Sequence, residues 1–465
     1  MTSGNTDAAD LLRALRSFLG ENDMMAYLAM MAVRMIEFRR VMKPTGSLYL
    51  HCDPTASHYL KILLDSVFGA RSFRNEVVWK RAHTVKGNFG QGSKFFGRNT
   101  DSILFYSKTS SAKFNPVFNS YTPEYIESHY NLIDPADGRR YQLISMSGPG
   151  GAAKGNPAYE VMGITRYWRY SKESMADLIS RDLVVQPSPG AVPRRKLYLD
   201  EGSGVPLQAL WDDIAELNSQ AQERLGYPTQ KPLALLERMV YASSNKDDIV
   251  LDPFCGCGTA VHAAQKLGRR WIGIDITHLA IGLVERRLKA AFIGIQFEIH
   301  GAPKDLAGAR DLADRDKYQF QWWAVSLVNA QPYGGKKRGA DGGIDGKVFF
   351  KPDGKRTDVA IVSVKGGGNI GVGMIRDLKG VMEREHAPMG LFLTLTPPKA
   401  PMVTEAASAG FYETLWGRHP RIQILTIEDL LTGKRPDMPL IDISAAFKSP
   451  GREAVDVGEQ PELAI

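Results

Sequence analysis

The sequence predicts an α/β protein: a doubly wound, nucleotide-type sheet broken by an irregular insertion, followed by a smaller second α/β domain. Three observations carry this. The stretch LDPFCGCGTA (Leu251–Ala260) joins a strand to a helix through closely spaced glycines, and the following strand runs into the acid of GIDI (Gly273–Ile276). An earlier strand and helix occupy residues 47–69, ahead of that turn rather than behind it. A further alternation of helix and strand lies between residues 316 and 396.

Composition bounds the function. With 465 residues, 43% of them hydrophobic, the chain can bury more than one core. Lys and Arg number 58 against 51 Asp and Glu, and the resulting charge of +7 favours an anionic partner, nucleic acid first. The three cysteines, Cys52, Cys255 and Cys257, exclude a disulfide framework and point to a reducing cytoplasm. The most apolar stretch, Met24–Phe38, carries Arg34 and Glu37 and reads as a buried helix, not a membrane span.

In order along the chain, the spacing predicts a long helix over 20–42, stopped by Pro44 and Gly46, then a short strand at Ser47–Cys52. A helix follows from Thr55 to Gly69, with Leu60, Leu63, Leu64 and Val67 on one face. Residues 75–81 and 102–108 read as strands. The glycine-rich, basic loop between them, residues 85–98, reads equally as a phosphate-tracking surface or a solvated loop. Residues 110–215 have no clear period and form an irregular insertion. Order returns over 226–244, where Pro232 fits the first turn of a helix with Leu233, Leu235, Leu236 and Met239 as its buried face. A strand at 247–252 leads into the glycines, then come a helix at 259–267, a strand at 271–276 and a helix at 278–290. The second domain opens near residue 310 with a buried helix at 316–328, strand candidates in 336–350 and 358–368, a helix at 373–385 and a strand at 390–396.

The glycine turn has specific mechanics. Gly256 and Gly258 let backbone approach a ligand, the helix opening at Thr259 presents free amides, and Asp275 can accept from both hydroxyls of a ribose. A bare strand-to-helix turn is the alternative, and the spacing of Asp275 favours a nucleoside. The third glycine of a dinucleotide site is missing, which disfavours a nicotinamide-dependent oxidoreductase. Asp252 just ahead of the turn suits a ligand carrying an ammonium group.

DPFCGCGT (Asp252–Thr259), YPTQKP (Tyr227–Pro232) and GIDI resemble the motifs of the permuted, β-type DNA adenine-N6/cytosine-N4 amino methyltransferases. In that group the catalytic half and the target-recognition region precede the cofactor half. KPTGSLYLHCD (Lys43–Asp53), FRNEVVWKR (Phe73–Arg81) and SILFYSK (Ser102–Lys108) resemble its later motifs, which explains the late glycine turn by circular permutation of a Rossmann-like sheet. The resemblance implies a methyltransferase domain over 20–300, with 110–215 as its target-recognition insertion. It implies S-adenosylmethionine held by Asp252, Phe254, Gly256, Gly258, Thr259 and Asp275 together with Thr229, Gln230, Lys231 and Pro232. It further implies double-stranded DNA as partner and direct methyl transfer to the exocyclic amine of adenine or cytosine. The family's Asp/Asn/Ser-Pro-Pro-Tyr/Phe motif is not found; the only Pro-Pro pair, Pro397-Pro398, lies far outside the region. The strand carrying that motif belongs between the Ser47–Cys52 and Leu251 strands, so its loss predicts open ladder edges on both. The expectation is that Met1 is an internal start of a longer gene. The alternative is a split or degenerate enzyme, a cofactor- and DNA-binding subunit whose missing motif comes from a partner subunit or a second copy.

GADGGIDG (Gly339–Gly346) with VSVK (Val362–Lys365) resembles the Mrr-like branch of restriction-endonuclease folds, over 310–435, with 436–465 as a tail. The resemblance implies Asp345 as a Mg²⁺ carboxylate and Lys365 as charge stabiliser. Ser363 stands where an acid or amide is expected, no Glu lies on the preceding helix, and Asp341 is a candidate helper. A DNA-binding or assembly domain on the same scaffold is the alternative. Cys255 and Cys257 read as packing residues, since zinc spacing would need a second Cys/His pair. His51, Cys52 and Asp53 resemble a nucleophile and base, but transfer to an amine needs no covalent step.

Overall fold

The computed structural model describes residues 3–82, 94, 96–218, 221, 223–225, 227, 229–333, 342–353, 356–414 and 417–439. Most of the basic loop at 85–98, Asp341 and the tail beyond 439 lie outside these residues. No described helix is long and apolar enough to cross a membrane.

The chain begins with two helices, α1 (Ser3–Leu19) and α2 (Asp23–Val41). Asn22 separates them, its side chain accepting from the Met25 amide at 2.9 Å. Then come β1 (Ser47–Cys52), α3 (Ser57–Phe68), β2 (Phe73–Lys80), β3 (Thr100–Ser107) and the short β4 (Leu210–Trp211). They form a four-stranded sheet in the order β1-β3-β2-β4, with β1 antiparallel to β3. The apolar spacing of α3 buries Leu60, Leu63 and Leu64 completely, against Leu28, Met31 and Met35 of α2 and Leu104 and Tyr106 of β3.

The second half comprises α4 (Leu233–Ser243), β5 (Ile249–Asp252), α5 (Thr259–Lys266), β6 (Arg270–Gly273) and α6 (His278–Ala291). Pro232 is the cap residue before α4 and not part of its first turn. β5 and β6 run parallel, Leu251 opposite Ile272, and make a two-stranded sheet of their own. β6 stops at Gly273, short of Asp275; beyond it the Ile274 amide donates to the Asp252 carbonyl at 2.9 Å and the Cys255 amide to the Ile274 carbonyl at 3.0 Å.

β1 and β5 therefore do not share a sheet. β1 is an edge strand, and among the described residues neither its outer side nor that of β5 carries a ladder partner. Adjacent strands lie about 4.8 Å apart, so two strands flanking one empty position are about twice that apart, beyond the reach of any N–H···O=C bond. The halves are joined outside the strands, by one backbone bond from the Asn115 amide to the Ala242 carbonyl at 2.7 Å and by side chains. The Tyr49 and Ser243 hydroxyls are 2.7 Å apart, Lys113 pairs with Asp248 at 2.6 Å, and Asn115 donates to the Tyr241 carbonyl at 2.8 Å. One face of β5–β6 is also uncovered: Ile249, Leu251, Ile272 and Ile274 are between 37% and 50% exposed. The opposite face packs Val250 against Val240 and Ala263.

The C-terminal part of the same unit has α7 (Leu306–Arg315), α8 (Lys317–Leu327), β7 (Gln331–Pro332), β8 (Gly346–Phe350), β9 (Asp358–Lys365), α9 (Val372–Arg384), β10 (Met389–Thr394), α10 (Ala400–Ser408), β11 (Ile422–Thr426) and α11 (Ile427–Leu431). Its five-stranded sheet runs in chain order, β8 antiparallel to β9 and β9, β10 and β11 parallel. Strand alternation sends Val362 and Val364 to a core with Phe320 and Trp323, and Ile361 and Phe392 to a core with Ile375 and Leu378. Both faces are covered.

Residues 116–208 form a separate compact unit. Strands at Leu132–Ile133, Arg140–Ser145, Arg194–Tyr198 and Val184–Val185 pair into a sheet over a core of Met146, Trp168, Met175 and Leu178. Strands this short leave no period to read, so a segment that looks irregular in sequence is an organised sheet. Asp134 at its centre accepts from Lys196 at 2.9 Å and from the Tyr198 hydroxyl, and these partners hold its carboxyl far below the usual range.

Candidate functional site

The turn between β5 and α5 is a cradle with a carboxylate on each side. Asp275 Oδ2 accepts from the Gly256 amide at 3.0 Å, and its Oδ1 accepts from the Thr277 amide at 2.9 Å and hydroxyl at 2.8 Å. Each carboxylate oxygen has two acceptor positions, so Oδ2 keeps one for a ligand hydroxyl. Asp252 closes β5, where its Oδ1 accepts from the Phe254 amide at 3.2 Å. Burial pushes the Asp252 carboxyl above the usual range, the Phe254 amide offsets part of this, and the neighbouring Asp275 raises it further. The Tyr227 hydroxyl is raised by burial and then by Asp275, and the Cys255 thiol is pushed up to about 12 by burial, Asp252 and Asp275. These directions agree: a cation placed here relieves crowded negative charge, whereas a pyrophosphate would add to it.

A cavity of about 110 Å³ in the cradle is lined by Tyr227, Thr229, Lys231, Asp252, Phe254 and Gly256, among others. Small-molecule pockets start near roughly 300 Å³, so it is too small to enclose a nucleoside-sized ligand whole. Ile276, directly after Asp275, is 81% exposed and offers an apolar surface beside the acid. Phe254 lies edge-on to Phe38 at 6.2 Å between centroids, with the Arg34 guanidinium 5.8 Å from its ring centre.

The glycines of the turn also make room for neighbouring protein groups. At Gly256, with φ of +47°, a Cβ would sit 3.1 Å from the Tyr227 ring; at Gly258, with φ of +74°, it would sit 2.7 Å from Val284. Gly256 thus admits Tyr227 and Gly258 admits α6, so both make room for protein groups. Thr259 opens α5 as expected, but its hydroxyl accepts from the buried Arg287 at 3.0 Å. Arg287 also donates to the Cys257 carbonyl at 3.3 Å and to His262 at 3.1 Å, bracing the turn from behind. In sequence Arg287 belongs to a charged run and gives no sign of being buried. The Gln230 amide is spent on backbone, donating to the Glu223 carbonyl and accepting from the Leu225 amide at 2.7 Å. Pro232 is buried at the helix cap and does not line the cavity.

His51 pairs with Asp101 of β3 at 3.0 Å and not with Cys52. Burial opposes ionisation of Asp101, but the His51 hydrogen bond and charge, with Arg81 and Lys231, hold its carboxyl below the usual range. The Cys52 thiol is pushed up to about 12 by burial and neighbouring acids, which disfavours the nucleophilic thiolate. Cys255 and Cys257 are buried, and no metal-competent cluster of three His, Cys, Asp or Glu occurs among the described residues.

In the five-stranded sheet Asp345 is 7% exposed, immediately before β8. Its Oδ2 accepts from the Val364 amide at 2.6 Å, the carboxylate replacing a strand carbonyl in the ladder, and its Oδ1 accepts from the Gln321 amide of α8. Lys365 follows Val364 at the end of β9, and Ser363 is buried. Gln321 was not foreseen; its only signal is a polar residue set among Phe320, Trp322 and Trp323.

The comparisons follow this division of the chain. The family model described as DNA methylase matches residues 13–286, and one described as restriction endonuclease matches residues 312–428. The type II methyltransferase M.EcaI of Enterobacter cloacae is 31% identical over 268 residues, 56% of this chain and 57% of its own length. The type III restriction-modification enzyme StyLTI Mod subunit of Salmonella typhimurium is 27% identical over 55% of this chain and 40% of its own. The chain thus spans about half the length of these curated relatives. The solved M1.HpyAVI-SAM complex aligns with 61% of this chain and 96% of that one at 16% identity and a TM-score of 0.32. By the match across more than half of its residues, this chain belongs to the DNA methylase family, with a restriction-endonuclease-type region behind the methylase part.

Proposed function

We propose that the chain binds S-adenosylmethionine at the β5–α5 turn and serves methyl transfer to the exocyclic amine of adenine (N6) or cytosine (N4) in double-stranded DNA, in the cytoplasm. The observation that carries the reading is the paired acids of the cradle: Asp275 fixed by the Gly256 amide, and Asp252 at the close of β5 with its Oδ1 on the Phe254 amide. The residues present fit this cofactor. Asp275 would take the ribose hydroxyls, Asp252 and the Thr229–Lys231 segment the methionine end, and Phe254, Tyr227 and Ile276 the apolar surfaces. When bound, the sulfonium supplies the activated methyl group; the chain's own residues orient it and exclude water. The gap between β1 and β5 supports the narrower version, in which the base-gripping segment comes from outside the described residues, whether from a partner subunit or from more of the same polypeptide. Calorimetry of the 465-residue chain with S-adenosylhomocysteine should give one site that Asp275→Ala weakens strongly. Tritium transfer from labelled cofactor to duplex DNA would mark an autonomous enzyme, and binding without transfer a cofactor-binding subunit. Absence of binding would end both versions.

A second reading concerns the C-terminal region, and the fixed carboxylate of Asp345 favours it. A Mg²⁺ ion takes one or two carboxylates and completes its shell with water and phosphate, so Asp345 with Lys365 fits the lower end of that range. There the ion would polarise a phosphodiester and Lys365 would offset developing charge. Mg²⁺-dependent nicking lost in Lys365→Ala tests it.

A further inference from the structure

We propose that the hairpin of strands Ala158–Val161 and Ile164–Tyr167, within the unit of residues 116–208, enters a groove of duplex DNA, with Met162 at its tip on the base edges and Arg166 and Arg169 on the phosphodiester at the rim; this rests on the DNA reading above. Two residues close the hairpin, Met162 with φ of +50° and Gly163 with φ of +80°, the signature of a type I′ turn. Glycine takes this conformation freely, but the first position suits Asn or Asp, and a long apolar residue there is strained. Met162 is the only apolar side chain with positive φ among the described residues. It is 46% exposed, so little burial is gained in exchange for the strain.

The hairpin is held at both ends. The Met162 carbonyl accepts from the Gln186 side-chain amide at 3.2 Å, and at the base the Gly148 amide donates to the Tyr167 carbonyl at 2.7 Å. Two guanidiniums gather at that base: Arg166 comes within 3.5 Å of the Ser147 hydroxyl, and Arg169 donates to the Ser147 carbonyl at 3.0 Å. Both are exposed, neither has an acidic partner among the described residues, and Glu160 lies on the opposite face of the ribbon from Arg166. Two like charges over one serine repel each other, and an anion beside them relieves that repulsion. The spacing fits DNA. The rung Tyr159–Arg166 stands two residues behind Val161–Ile164, about 7 Å at the rise of a strand, while the major groove is about 8.5 Å deep and admits a two-stranded ribbon. With Met162 at the groove floor, Arg166 reaches the rim, and an apolar tip favours the methyl group of thymine.

The test uses the full chain, a pool of randomised duplexes for selection by binding, and one selected duplex for titration against salt. Wild type should select at least one thymine, and uracil in its place should weaken binding about five-fold or more. Met162→Asn, which the turn accepts more readily, should match wild type in circular dichroism and lose that preference. Arg166→Gln and Arg169→Gln should each weaken all selected sequences alike and lower the slope of log affinity against log salt by about 0.9. If Met162→Asn selects the same sequences as wild type, or the arginine variants keep the wild-type salt slope, the hairpin does not face DNA in this way and the proposal is overturned. A wild-type chain that binds no duplex overturns the DNA reading itself, whatever the hairpin variants do.

Discussion

The two sheets that present an acid near a strand end, β5–β6 with Asp275 and β7–β11 with Asp345, are closed to very different degrees. In the five-stranded sheet Ala360, Val362, Leu391 and Phe392 are completely buried and both faces are covered by helices. In the two-stranded one an outer edge is open and four aliphatic side chains face solvent. Yet the open sheet holds the more elaborate turn, with three hydrogen bonds to Asp275 and a buried arginine behind it. A ligand cradle is thus built from short-range bonds at a strand-to-helix junction, whereas stability depends on completed layers.

The largest expected contrast is in stability. Phe392→Ala should cost about 3–5 kcal/mol in urea unfolding of the C-terminal region, because a buried ring leaves a cavity. Leu251→Ala, on the open face, should cost less than about 1 kcal/mol; equal losses at the two sites would mean that the face is covered in solution.

Next comes binding: Asp275→Ala should weaken S-adenosylhomocysteine by roughly 100-fold, about 2.7 kcal/mol, with little change in the unfolding of the five-stranded sheet. A smaller effect is expected at Gly258→Ala, where φ is +74° and Val284 is 2.7 Å from the new carbon. Destabilisation of the cofactor half by about 1–3 kcal/mol should follow, and Val284→Ala introduced alongside should recover part of it.

The smallest effect is one of pH. The Asp252 carboxyl is raised in the folded protein, so folding favours its protonated form, and that contribution to stability is lost as pH rises through the raised value. A ligand ammonium needs the ionised form, so affinity should fall as pH drops through the same range, by at most about ten-fold per pH unit. Asp252→Asn should flatten the profile; an unchanged profile would show that another group titrates.

Much of this was legible in sequence because its causes are local. The glycine turn, an acid at the end of the strand that follows it, the β1 strand and the period of α3 follow from backbone conformation and side-chain spacing within a dozen residues. The open edge of β5 among the described residues was also legible, since no Asp/Asn/Ser-Pro-Pro-Tyr/Phe motif is found in the sequence to place a strand beside it. Other features were not. The short strands of residues 116–208 give no period, and His51–Asp101 and Asn115–Tyr241 join residues 50 and 126 positions apart. Gln321 with Asp345 spans 24.

By itself the sequence determined the order of the elements, the acids of the cradle and the family to which they belong, because propensity, capping and motif spacing act along the chain. Only the tertiary structure decided which partner each buried polar group would find: Gly256 for Tyr227, Arg287 behind Thr259, Gln321 on Asp345. A hydrogen bond is satisfied by whichever group folding brings within about 3 Å, and that proximity belongs to the packed layers and not to any stretch of sequence.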